Sequence, residues 1–195
     1  MSGKRMSWLL CAAFLLALMV LPALAETDEI VLTFGGDCVL GTREQWKKKK
    51  NTFDTVIAVH PDVFNVNIET VKELQKAIRP SASYERTLDV LRYIKQTDPT
   101  ILTKTGFMVG LGETEEQISR LMDDILAVGC DILTIGQYLQ PSPEHWKLDR
   151  YATPEDFARY KEMALQKGFR HVASAPLARS SYRAWEALED VHDLY

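Results

Sequence analysis

Cysteine is scarce in these 195 residues: Cys11, Cys38 and Cys130 stand singly. Iron–sulfur and zinc centres need their ligands gathered, and no close thiolate set exists here. His60, His145, His171 and His192 show no metal-ligand spacing either. No Gly-x-Ser-x-Gly elbow marks a nucleophilic serine, so hydrolase chemistry gains no support. Neither sign of charge is in excess: 23 basic against 27 acidic residues give a net −4, which argues against a general nucleic-acid binder. Internal repeats and low-complexity tracts are missing, and the one charge run, Lys47 to Lys50, reads as a solvated loop or helix end. What is plentiful is apolar residue, 46% of the chain, enough for a packed core in one domain or two small ones.

Residues 1–25 read as an export signal. Lys4 and Arg5 supply the positive start, Trp8 to Leu21 is almost wholly apolar, and Ala23-Leu24-Ala25 fits a small-x-small cleavage site. The apolar run is short for a bilayer span, with an uncleaved anchor as the alternative. Export or membrane anchoring is therefore expected. Cys11 leaves with the peptide, and nothing in the sequence brings Cys38 and Cys130 together.

From residue 61 onward, strand and helix patterns alternate. Val63 to Val66, Gly106 to Val109, Asp131 to Gly136 and His171 to Ser174 read as strands. Helical spacing of apolar residues predicts helices over Ile68 to Ile78, Tyr84 to Lys95 and Gln117 to Val128. Thr153-Pro154-Glu155 opens another, ended by Gly168, and Ser181 to Val191 is a polar-aromatic terminal helix. Such alternation means α/β with parallel strands covered by helices. Composition and pattern leave a doubly wound sheet and part of a barrel equally open.

The most informative stretch is Gly106-Phe-Met-Val-Gly-Leu-Gly-Glu113, a strand passing into a glycine turn. Thr114 and Gln117 then form a capping box. Glycines let a backbone approach closely, and free N–H groups at a helix start suit a small ligand. Upstream stand Val63-Phe-Asn-Val-Asn-Ile-Glu-Thr-Val71 and Arg79-Pro80; downstream stand Thr134-Ile-Gly-Gln-Tyr-Leu-Gln-Pro-Ser142 and Arg179-Ser-Ser-Tyr182. In this order and spacing these runs resemble lipoyl synthase, a radical S-adenosylmethionine (SAM) family, from about residue 61 to 185.

The resemblance implies the C-terminal half of a partial (β/α)₆ TIM-like barrel of radical SAM type, preceded by a signal-like N-terminal segment. It implies SAM and [4Fe–4S] clusters as cofactors, and an octanoylated lipoyl domain or H-protein as partner. The implied reaction inserts sulfur at C6 and C8 of the octanoyl group, after hydrogen abstraction by a 5′-deoxyadenosyl radical. On the SAM side it implies Asn65, Asn67, Glu69, Arg79, Gly106, Met108, Val109, Gly110, Gly112, Glu113, Tyr138 and Gln140. A serine of Arg179-Ser180-Ser181-Tyr182 would ligate an auxiliary cluster, Ser181 being the first choice and Ser180 the second. Bland alternatives stand beside these: Asn67 as a helix N-cap, Arg79 as a cation at a helix C-terminus, Phe107 and Val109 as core.

The chain also departs from the family. The two cysteine triplets that hold the family's clusters are missing, so this chain by itself should bind neither. Val66 stands where the family commonly has His, and Ala173-Ser-Ala-Pro176 differs from the commoner pattern with Cys and Gly. Residues 26–60 read as a segment of different origin. There Glu29-Ile-Val-Leu-Thr-Phe-Gly-Gly-Asp37 resembles the first strand of the poly-γ-glutamate (capsule-biosynthesis) family, which implies Asp37 as a metal ligand. Two non-lipoyl readings follow: a non-enzymatic exported remnant that self-associates through exposed strand edges, and a capsule-biosynthesis metallophosphatase-like protein.

Overall fold

A computed structural model describes residues 53–180. The expectations for residues 1–25, for Asp37 and for a helix over 181–191 fall outside them.

Four parallel strands carry the fold: β1 (Val63–Asn65), β2 (Leu102–Val109), β3 (Ile132–Gln137) and β4 (His171–Ser174). They lie in the order β1-β2-β3-β4. Helices α1 (Lys72–Ile78) and α2 (Tyr84–Thr97) join β1 to β2, α3 (Glu115–Leu126) joins β2 to β3, and α4 (Pro154–Lys167) joins β3 to β4. Among the described residues the strand order is sequential, the order a barrel has. A doubly wound sheet reverses its strand order at a switch point, whereas a barrel adds each strand beside the last.

The pleat sends alternate residues to opposite faces. Phe107, Val109, Leu133, Ile135 and Val172 join one core with Leu88 and Leu91 of α2, Ile118, Leu121, Met122 and Ile125 of α3, and Phe157, Tyr160 and Ala164 of α4. The opposite, inner face begins apolar, with Val63, Leu102 and Ile132. Further along it the register sets Asn65 beside Lys104 and Gly106 beside Thr134.

Helix ends follow local chemistry. Thr114 and Gln117 form the expected capping box on α3, and Thr153 and Asp156 form a second on α4. Gly168 closes α4 at φ 115°, a left-handed cap that glycine adopts without strain. The helix expected from Ile68 begins only at Lys72, with no side-chain cap. The intervening residues stay beside β2: Val66 N–H donates to Lys104 O, and Ile68 and Glu69 N–H both donate to Gly106 O. Met108 N–H donates back to Glu69 O. Pairing along β2 thus overrides the helical spacing of Ile68 and Val71, and Glu69 takes φ 74° to allow it.

At the opposite end, Asp131 fastens the strand starts. Its carboxylate accepts from Thr103 N–H (2.8 Å) and from Lys95 Nζ (2.7 Å), and its carbonyl accepts from Arg170 N–H.

Candidate cofactor site at the carboxyl ends of the strands

The glycine turn after β2 is closed by its own glutamate. Glu113 Oε1 accepts from Gly110 N–H at 2.7 Å, and Oε2 accepts from Leu111 N–H at 2.8 Å. The expectation that this turn offers free N–H groups is corrected here: a carboxylate three residues on already takes two of them. Glu113 is a scaffold for the turn. Above Gly112 there is open space, with nothing within 4 Å of an added Cβ.

Gln137, at the end of β3, organises the neighbouring loop. Its Nε2 lies within bonding distance of the carbonyls of Val109, Tyr138 and Arg150, and its Oε1 accepts from Ala152 N–H. Gly110 must be glycine beside it: at φ 96°, a Cβ would lie 2.4 Å from both Gln137 Nε2 and Arg150 O. Tyr138 donates its hydroxyl to Trp146 O at 2.7 Å, and Trp146 Nε1 donates to Leu111 O. Gln140 shapes the same loop through Ser142 O and Leu148 N–H. Tyr138 and Gln140 use these polar groups to hold the loop geometry.

Met108 shares the inner face with Lys104 and Gly106, while Val109 lies wholly in the helix-covered core. Val109 therefore packs against the helices. Arg79 stands at the C-cap of α1, with its guanidinium 3.9 Å from the Glu69 carboxylate.

The inner face gathers the remaining polar groups. Asn67 is no N-cap; its Nδ2 donates to Ser180 Oγ at 3.0 Å, and Ser180 Oγ donates back to Asn67 Oδ1 at 3.1 Å. Asn65 Nδ2 donates to the same Oδ1. Lys104 Nζ donates to Ser180 O at 2.7 Å. Arg179 seals the adjoining edge: its guanidinium reaches Ala178 O and Gln137 O. A Cβ on Gly136 would lie 2.8 Å from Arg179 Nη1. Sequence reasoning missed Lys104, Thr134, Gln137 and Gly136. A lysine inside the β-rich run Ile101-Leu-Thr-Lys-Thr-Gly-Phe107 was the available signal, since charge rarely enters a buried strand without a task.

Comparison with known proteins agrees with this architecture. Residues 22–125 match the family model of the radical SAM superfamily, and the chain belongs to that superfamily. Within it the chain is similar to lipoyl synthases. It is 57% identical over 145 residues to the lipoyl synthase of Rubrobacter xylanophilus, covering 74% of this chain and 45% of that protein. It is 53% identical over 130 residues to that of Caldanaerobacter subterraneus (67% and 46%), and 56% identical over 124 residues to that of Marinobacter nauticus (63% and 36%). The chain thus spans less than half the length of these curated relatives. The superfamily match begins upstream of residue 61, where the motif resemblance begins.

The two implied cofactors fare differently against the residues present. SAM fits the inner face, where buried acceptors on Asn65 and Thr134 have no partner and Gly106 leaves the strand bare. The iron–sulfur clusters do not fit the described residues: no group of three His, Cys, Asp or Glu side chains converges there. Cys130 is a free, buried thiol, pushed up to about 12 by burial, far from the thiolate a cluster needs. Ser180 is committed through its hydroxyl to Asn67 and through its carbonyl to Lys104, and Ser181 lies beyond the described residues.

Proposed function

We propose that this chain supplies the SAM-side half of a lipoyl-synthase-type radical enzyme. In that reading SAM binds at the carboxyl ends of β1 to β3, and the family reaction adds two sulfur atoms to a protein-bound octanoyl chain. The observation that carries the reading is the coincidence of two things: 51–57% identity to lipoyl synthases, and an inner sheet face whose unpartnered polar atoms lie at the strand positions where barrel enzymes build sites. The partner is an octanoylated lipoyl domain or H-protein. SAM bound there would be the source of the radical, and this chain's residues would orient it and exclude water.

With only three scattered cysteines, the 195 residues bind neither cluster and are inactive by themselves. Anaerobic reconstitution with iron and sulfide, followed by assay on an octanoylated peptide, tests this. The expected result is no lipoyl product and no absorbance band of a [4Fe–4S] centre; either one overturns it. For location, we propose membrane targeting through residues 1–25 with cleavage after Ala25, because translocation reads the N-terminus and not the domain behind it. Mass spectrometry of the N-terminus after cell fractionation should find Glu26 first, and an intact Met1 in the soluble fraction would reject it.

A further inference from the structure

A cleft of about 280 Å³ opens among α1, the start of α2 and α3. It lies on the helix side of the sheet: its floor is Tyr84 and Leu121, both members of the helix-covered core. The SAM reading makes no use of it. At about 30 Å³ per water the cleft has room for on the order of nine. Small-molecule sites usually run from about 300 to 1,000 Å³, so this one suits a ligand of few atoms.

Its charges are nearly all answered from within. Lys72 pairs with Glu85 at 2.6 Å, Arg120 with Glu73 at 2.9 Å and Lys167 with Asp123 at 2.5 Å. Asp124 is the exception. Among the described residues it forms no ion pair, and the group that meets it is neutral: Tyr84 donates its hydroxyl to Asp124 Oδ2 at 2.9 Å. Burial first, then that bond, holds the phenol far above its ordinary range, so it stays a neutral donor. The cleft therefore has one carboxylate whose charge nothing balances. The Tyr84 ring offers a second contact. Lys72 Nζ stands 5.7 Å from its centroid, so this ring face accepts a cation in the folded chain.

An anion is disfavoured here, because the three cations already have carboxylates and Asp124 would repel it. A neutral ligand leaves Asp124 unbalanced. A flat cation answers both groups. A guanidinium forks onto a carboxylate, stacks on an aromatic face and gives up its water more readily than an ammonium. We propose that this cleft binds a guanidinium carried on a short alkyl stem, with Asp124 pairing its charge, the Tyr84 ring under its plane and the stem against Leu121. Lys72 uses the same ring face, so it competes with the ligand.

Saturation-transfer NMR on the full chain tests this, since it reads weak ligands on a self-associating protein. The probes are n-butylguanidinium, a free small molecule, and a capped Ala-Arg-Ala tripeptide, which presents the same group as an arginine side chain. Butyrate is the anionic control. A guanidinium probe should bind saturably at about millimolar concentration, and butyrate should not. Whichever probe binds more tightly names the source of the guanidinium. Asp124→Asn should weaken binding about threefold, the scale of a partly exposed ion pair. Lys72→Met made together with Glu85→Gln removes their ion pair at constant net charge, and should tighten binding about twofold by clearing the ring. These three positions are exposed, so the changes leave the fold in place. Glu162→Gln on α4 removes one negative charge elsewhere and should leave the affinity unchanged. Absence of saturable guanidinium binding, or butyrate binding as tight, overturns the proposal. So does an affinity that Asp124→Asn leaves alone, that Glu162→Gln lowers as much, or that the paired variant fails to raise.

Discussion

Glu113 shows how much one side chain can hold. Two backbone donors at the glycine turn converge on its carboxylate, and charge-assisted bonds of this kind are worth more than neutral ones. Glu113→Ala should lower unfolding free energy by about 2–3 kcal/mol, measured by urea denaturation. A change below about 0.5 kcal/mol, the level of ordinary surface substitutions, would mean that the turn holds itself. Cys130 is a second case. Its thiol donates toward Thr103 O and Ile132 O, and burial pushes it up to about 12. Iodoacetamide at pH about 8 should leave Cys130 unmodified in the folded chain and label it in denaturant, as peptide mapping would show. Rapid labelling of the native chain would refute its burial. Gln137 belongs to the same scale: its amide is nearly filled by four backbone partners, a role that its place in a Gly-Gln-Tyr run could not reveal.

Among the elements, α4 has a charged cluster at its start. Asp156 completes the capping box, and its carboxyl is held far below the usual carboxylate range by the Thr153 backbone N–H first, then by the guanidinium groups of Arg150 and Arg159. A depressed carboxyl stabilises the fold above its unfolded pKa near 3.9 and loses that contribution as pH falls below it. Asp156→Asn should therefore be less stable than the unaltered chain by about 1 kcal/mol near neutral pH, the value of a helix cap. The gap should narrow in melting curves taken from pH about 5 down to pH about 2. A gap that is constant with pH would assign the whole effect to packing. In α1 the boundary was misread for a physical reason. Apolar residues at 68, 71, 74 and 78 suit a helix, but β2 offers carbonyls at Lys104 and Gly106 that the chain reaches first, and those bonds hold residues 66–69 beside β2 and out of the helix.

At the scale of the whole molecule, the described sheet has two ends. Among the described residues β1 and β4 each pair with one other strand, and parallel edges left in this state invite another chain. We expect the chain to self-associate. Light scattering after size exclusion should give a mass above the 22.2 kDa of one chain. A stable monomer with a single cooperative unfolding transition would count against open edges. Self-association in our proposal has its origin in the open edges of the described sheet.

The sequence by itself determined the strands and helices and most of their ends. Periodicity, capping boxes at Thr114 and Thr153, and Gly168 are local signals, readable without knowing what they touch. Its motifs also supplied three residues, Asn67, Gly106 and Ser180, that prove to be neighbours. Tertiary structure alone decided the rest. Whether strands add in order or reverse depends on pairing between distant segments, and the observed registers give the barrel-like order among the described residues. Which polar groups are spent on the fold and which are left for a ligand is likewise a matter of partners. Glu113, Tyr138 and Gln140 are occupied by backbone groups close in space, while among the described residues Asn65 Oδ1 and Thr134 Oγ1 meet no donor.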